Sequence, residues 1–93
     1  MAVIARHLAI TGKVQGVFYR DWTVDTARGL GLAGWVRNRM DGSVEALVQG
    51  EGAAVERFIA LAHEGPPTAR VAGVVASDVA VAELAGFDQH ATA

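Results

Sequence analysis

The residues best placed to do chemistry lie in Gly12-Lys13-Val14-Gln15-Gly16-Val17-Phe18-Tyr19-Arg20. An apolar run from Val3 to Ile10 leads into this segment, and a helical pattern opens directly after it. A loop between a strand end and a helix N-terminus gathers unpaired backbone N–H groups at the positive end of the helix dipole, which is a common setting for bound phosphate. Arg20 ends the loop, and a guanidinium offers a planar fork of donors that meets phosphate oxygens two at a time. Two readings stay open on these residues alone. The segment is an anion cradle with its own cation, or it is a turn in which Gly12 and Gly16 supply positive φ and Arg20 is solvated. It is not a Walker loop, since no Gly-Lys-Ser/Thr follows. Nor is it a G-x-G-x-x-G dinucleotide fingerprint.

The second polar constellation is Gly34-Trp35-Val36-Arg37-Asn38-Arg39-Met40-Asp41-Gly42. In a strand, a side-chain period of two puts Asn38 on one face with Gly34 and Val36, and Trp35, Arg37 and Arg39 on the other. A carboxamide has one acceptor and two donors, enough to hold a water in a fixed orientation. Asn is equally at home leading into a turn. Both roles remain open for Asn38.

The elements that must position these groups follow from pattern. Val3 to Thr11 reads as a strand; Asp21 is an N-cap candidate for a helix from Trp22 to Leu30, closed by Gly31. Ala33 to Arg39 is a second strand, and Asp41-Gly42 is the strongest hairpin signal in the chain. Ser43 to Gln49 alternates Val44, Ala46 and Val48 against Glu45, Leu47 and Gln49, a strand with one face toward helices. Val55, Phe58, Ile59 and Ala62 mark a second helix that Gly65-Pro66-Pro67 terminates. Arg70 to Val79 is a β-branched strand, and Gly86 to Ala91 is a short fifth-strand candidate with a frayed tail after Asp88. The order β-α-β-β-α-β implies a ferredoxin-like α+β sandwich, an antiparallel sheet with both helices on one face. That fold hosts many unrelated functions, so it decides none.

Composition narrows the field. Ninety-three residues, 52% of them hydrophobic, make one domain over 1–93 with a modest core. No cysteine is present, which excludes disulfides, thiolate chemistry and cysteine-based metal sites. No signal-like start and no apolar run near the ~18 residues of a membrane span occur, so a soluble cytoplasmic protein is expected. The net charge of −2 hides an asymmetry. Residues 1–40 carry six basic groups against Asp21 and Asp25, a balance of +4, while residues 41–93 carry Arg57 and Arg70 against eight acids, a balance of −6. The positive half holds the candidate loop, which suits steering of a small anion. A nucleic-acid binder would show a basic stripe and a high pI; here the pI is about 5.8.

Two motifs together resemble a known family. Val14 to Arg20, Leu30-Gly31-Leu32, Gly34 to Asn38 and Asp41-Gly42-Ser43-Val44-Glu45 look like the acylphosphatase family, in unbroken register through Gly50. Ala69-Arg70-Val71 agrees in style, and the Ala80–Ala93 segment fits least well. The resemblance implies hydrolysis of acyl phosphates to a carboxylate and orthophosphate with no metal and no organic cofactor. It implies that Arg20 holds the phosphoryl group with backbone amides of Gln15, Gly16, Val17, Phe18, Tyr19 and Arg20, and that Asn38 positions the attacking water. The implied partner is a small acyl phosphate, with neither nucleic acid nor membrane, and the implied state is a monomer.

The remaining polar and aromatic residues have plainer expectations. Lys13 is a solvated strand-end lysine, Arg37 and Arg39 are exposed sheet-end arginines, and Trp22 and Trp35 pack. The rings of Phe18 and Tyr19 are expected to pack as well. His7, His63 and His90 share no metal-ligand spacing. Two other ferredoxin-like readings exist. An RNA-recognition domain needs aromatics on its third strand, and Ser43 to Gln49 has none. A carbamoyl-phosphate-handling module of hydrogenase maturation proteins belongs to longer, cysteine-bearing chains, so a standalone enzyme is the expectation.

Overall fold

The computed structural model describes residues 2–93. Its elements run β1 (Val3–Lys13), α1 (Tyr19–Gly29), β2 (Ala33–Asn38), β3 (Val44–Glu51), α2 (Gly52–Ala62), β4 (Arg70–Val79) and β5 (Phe87–Gln89). The sheet order is β4-β1-β3-β2-β5, and both helices pack on one of its faces, as the ferredoxin-like expectation required. None of the described helices is long and apolar enough to cross a membrane.

Side-chain alternation decides which face is core. Leu8 and Ile10 of β1, Val36 of β2, and Val44, Ala46 and Val48 of β3 are completely buried beneath the helices. Val55, Phe58 and Ala62 of α2 meet them, at the spacing that puts three residues on one helical stripe. The ring of Trp22 tilts between those of Tyr19 and Phe58, with centroids 5.4 and 6.1 Å away, so this tryptophan packs as expected.

Boundaries shift by one or two residues at several elements, and four differences from the sequence expectation are larger or bear on the loop. First, β1 continues through Gly12 and Lys13, which pair with Val71 and Arg70 across a β-bulge at Thr11/Gly12. Gly12 has φ +119, and a Cβ there would lie 2.3 Å from the Arg70 carbonyl oxygen, so only glycine lets the strand bend here and aim the loop. Second, α1 starts at Tyr19, and its N-cap is Phe18 in the left-handed region, not Asp21. Third, the sheet is mixed: β5 pairs parallel to β2, in register Gly34↔Phe87, Trp35↔Asp88 and Val36↔Gln89. β4 runs opposite to β2, so a chain that reverses after β4 and crosses to the far edge meets β2 in parallel, which the four-strand pattern did not reveal.

Fourth, the tail is docked instead of frayed. The His90 N–H donates to the Val36 carbonyl (2.8 Å), the Ala93 N–H to the Asn38 carbonyl (3.0 Å), and the Met40 N–H to the Ala93 carbonyl (2.8 Å). Phe87 is buried against the core, and the Arg28 Nε–H on α1 donates to its carbonyl at 3.1 Å. The stretch from β4 to β5 is fixed on the open face by Gln49, whose carboxamide donates to the Ala82 carbonyl (2.7 Å) and accepts from its N–H (2.9 Å). A weak hydrophobic pattern thus hides a segment held mainly by backbone bonds.

Candidate active site

The loop from Val14 to Phe18 leaves the bulged end of β1 and enters α1. Gly16 (φ 72) and Phe18 (φ 67) are left-handed, with Val17 at negative φ between them. Alternation of this kind turns successive N–H groups toward one concave side. Among the described residues, nothing accepts a hydrogen bond from the N–H groups of Gln15 to Asp21; the first helical bond is Trp22 N–H to the Phe18 carbonyl at 3.0 Å. No side chain caps the helix either. A run of free donors therefore stands at the positive end of α1. Phe18 is the only non-glycine residue at positive φ among those described, a strain of about 1–3 kcal/mol for a bulky residue.

Arg20 from the first turn of α1 and Asn38 from the last position of β2 meet in a cavity of about 300 Å³. Val14, Gly16, Phe18, Tyr19 and Asp21 complete its lining. No ion pair or side-chain hydrogen bond joins Arg20 to another described residue. The Asn38 Oδ1 is buried and has no hydrogen-bond partner. Its backbone, by contrast, is fixed from both sides, by register with Val44 of β3 and by the Ala93 N–H. Free N–H donors, an unpaired guanidinium and an unpartnered carboxamide oxygen thus come together at one cavity. Such a set stabilises charge on a phosphoryl group and orients one water beside it.

The predicted loop residues separate into two kinds. Gly16, Phe18 and Tyr19 line the cavity; Gln15 and Val17 do not. The Gln15 side chain turns away and donates through Nε2 to the carbonyls of Arg39 and Ser43, both at 2.8 Å. It ties the loop to the β2–β3 hairpin, and so fixes Arg20 relative to Asn38. Val17 is buried, and its carbonyl accepts from the Thr68 hydroxyl at 2.5 Å. Tyr19 packs as expected, and its hydroxyl donates to the Ala62 carbonyl at the end of α2 (2.7 Å); burial pushes its phenol pKa well up. Phe18 does not pack: the residue is 71% exposed.

Asp21 does not cap the helix. It sits within the first turn and accepts from the Gln89 carboxamide. The roles of Gln15 and Thr68 were illegible in sequence, because a single polar side chain carries no sign of a partner 24 to 51 residues away. The only hint was the Asp41-Gly42 turn, whose flanking carbonyls need donors. Asp41 serves the turn itself, accepting from the Ser43 N–H (2.9 Å) and hydroxyl (2.6 Å), and these bonds lower its pKa.

Arg37 and Arg39 are not free sheet-end cations. On the open face both meet the same Glu45 oxygen, at 2.6 and 3.3 Å, while the His7 Nε2–H donates to the other at 2.6 Å. Desolvation opposes ionisation of Glu45, but the hydrogen bonds from His7, Arg37 and Arg39 outweigh it and lower its pKa to about 2. Arg37 also lies 4.8 Å above the Trp35 ring, which stacks on His90 with centroids 5.2 Å apart. Trp35 thus packs on the open face and not in the helix-covered core. Lys13 is exposed as expected. Among the described residues no three His, Asp or Glu side chains are grouped as metal ligands.

Known proteins share this sequence pattern and this fold. The sequence pattern of the Acylphosphatase family matches residues 6–89. An acylphosphatase of Rhodospirillum rubrum is 59% identical over 80 residues, covering 86% of this chain and 88% of that one. A solved acylphosphatase from Coxiella burnetii superposes with a TM-score of 0.92 at 34% identity, over 95% of this chain and 93% of its own. The phosphate- and nucleotide-bound structure of full-length HypF contains a region of the same shape, with a TM-score of 0.90 and 30% identity. That region covers 98% of this chain but only 12% of HypF.

Proposed function

The chain belongs to the acylphosphatase family and hydrolyses acyl phosphates to a carboxylate and orthophosphate; for this reaction we propose that Arg20 and the loop amides hold the phosphoryl group while Asn38 positions the attacking water. The observation that carries this assignment is the convergence, in one cavity, of a guanidinium without a protein partner, a run of free N–H donors and a buried unpartnered carboxamide oxygen. Buried polar groups are ordinarily paired, so a cluster of unpaired ones marks a place for a polar ligand.

The chemistry follows from these groups. Two fork donors of Arg20 and the loop amides that reach the cavity, those of Gly16 and Phe18 to Arg20, bind the non-bridging phosphoryl oxygens, whose charge grows in the transition state. Asn38 Oδ1 accepts one water hydrogen, which aims an oxygen lone pair at phosphorus. The water oxygen bonds to phosphorus as the bond to the acyl oxygen breaks, and that electron pair leaves on the carboxylate. The water's proton passes to a phosphoryl oxygen. A carboxylate is a stable anion near neutral pH, so departure needs no strong general acid. The mechanism calls on no metal and no organic cofactor.

Within this reading residues 1–93 act as one catalytic unit, a cytoplasmic monomer whose partner is its small-molecule substrate. Neither nucleic acid nor a membrane takes part. The test is release of orthophosphate from acetyl phosphate in the presence of EDTA. Steady turnover by wild type and its collapse in folded Arg20→Ala are expected. A folded Arg20→Ala protein as active as wild type would remove the assignment of that residue.

A further inference from the structure

Phe18 is the residue whose placement the phosphoryl chemistry leaves unexplained. Its amide serves the cradle, but any residue supplies an amide, and glycine would do so without strain at φ 67. The residue is nonetheless a large aromatic, 71% exposed, and it forms part of the cavity wall. Its neighbours in the loop behave differently: Val14, Val17 and Tyr19 are all buried in the core. The left-handed backbone turns the Phe18 ring out of that core and keeps it at the cavity that Arg20 and Asn38 share.

Apart from Gly16, which has no side chain, the rest of the lining is polar or buried. Arg20, Asn38 and the loop amides are assigned to the phosphoryl group and the water, and Asp21 is bonded to Gln89. The acyl group of a bound substrate has to point away from the attacking water, because attack and departure lie in line. With the phosphoryl group on the loop and water at Asn38, it leaves toward solvent, and Phe18 is the exposed apolar surface lining that cavity. An aromatic ring offers an acyl substituent a face for offset or edge-to-face contact, and more of it to an aryl group than to a methyl.

We propose that the Phe18 ring contacts the acyl group of the substrate and biases the enzyme toward acyl phosphates with aromatic or extended apolar acyl chains. This rests on the phosphoryl-binding reading of Arg20 and Asn38, and it assigns Phe18 a specificity role through its side chain.

The experiment compares wild type, Phe18→Ala and Phe18→Asn on benzoyl phosphate and acetyl phosphate, by kcat/KM for each. Dissociation constants for the unreactive analogues benzoylphosphonate and acetylphosphonate are measured in parallel. Asn tolerates left-handed φ, so that variant removes the ring with less backbone strain. In both variants the benzoyl-to-acetyl ratio should fall about three- to tenfold, in kcat/KM and in phosphonate affinity alike. A ratio equal to that of wild type, with both substrates losing equally, would assign Phe18 to loop geometry alone and overturn the proposal. Wild type that fails to turn over either substrate would instead strike the hydrolytic reading. The phosphonate ratio still judges Phe18 in that case.

Discussion

Arg20 and Arg37 lie seventeen positions apart in the positive half of the chain, yet they sit in opposite electrostatic settings. Arg37 is on the open face of the sheet, bonded to Glu45 at 2.6 Å and laid over Trp35, with His7 and Arg39 on the same carboxylate. Every charge in that group has a partner. Arg20 is on the helix-covered side, at a helix N-terminus whose donors are free, opposite an unpartnered Asn38 oxygen. One cluster is closed on itself; the other keeps its polar groups unpaired. The contrast separates paired charges that join neighbouring strands from a charge left unpaired at a cavity, and residue type alone does not make that distinction.

Removing the free cation should have the largest effect. Arg20→Ala is expected to lower kcat/KM by at least ~10²–10³ with little change in Tm, because the side chain makes no internal bond to lose. Stopped assays with acetyl phosphate and thermal melts of the same preparation check this. Asn38→Ala should reduce kcat by roughly 10² and leave KM within a few-fold, since a water-orienting group acts in the transition state more than in substrate binding.

Gln15→Ala tests what joins the two halves of the active region. Losing two hydrogen bonds to the hairpin carbonyls should cost about 1–2 kcal/mol of stability. It should also slow turnover about tenfold by letting the loop drift from Asn38. A denaturant titration paired with kinetics separates the two effects. Full stability with full activity would show that the loop and hairpin are positioned by other contacts.

The closed cluster should answer to pH and not to substrate. The Glu45 carboxyl titrates near 2 in the folded chain, below its ordinary value of 4.5, so between those values the unfolded chain binds more protons than the folded one. Stability therefore rises with pH through that window, is fully present above it and is lost as pH falls toward 2. Glu45→Gln should be less stable than wild type at pH 7 and show a shallower acid dependence in urea titrations from pH 2 to 5. Its kcat/KM should stay within about twofold, the smallest kinetic change of the four substitutions.

Much of this was legible in the order of residues. The β-α-β-β-α-β succession, the face shared by Asn38 and Val36, and the loop placed before a helix all follow from local periodicity and glycine placement. Each is fixed by neighbours in sequence. Helix α1 was misplaced at its start because Asp21 looks like a cap, whereas the left-handed Phe18 had already begun the helix. The C-terminal segment read as frayed because its stability lies in backbone bonds to β2, which leave no trace in side-chain pattern.

The fold class follows from the order of residues alone, because local periodicity suffices for it, while the roles proposed for Arg20 and Asn38 came from two motifs that resemble a family and not from residue type. Only the tertiary structure decided which arginines are free and which are spent, because pairing depends on residues brought together from distant strands. It likewise decided that Gln15 braces the loop instead of facing substrate, and that Phe18 stands at the cavity while Tyr19 fills the core. The physical reason is the same in each case. A side chain's chemistry is set by its type, but its availability is set by what long-range packing places beside it.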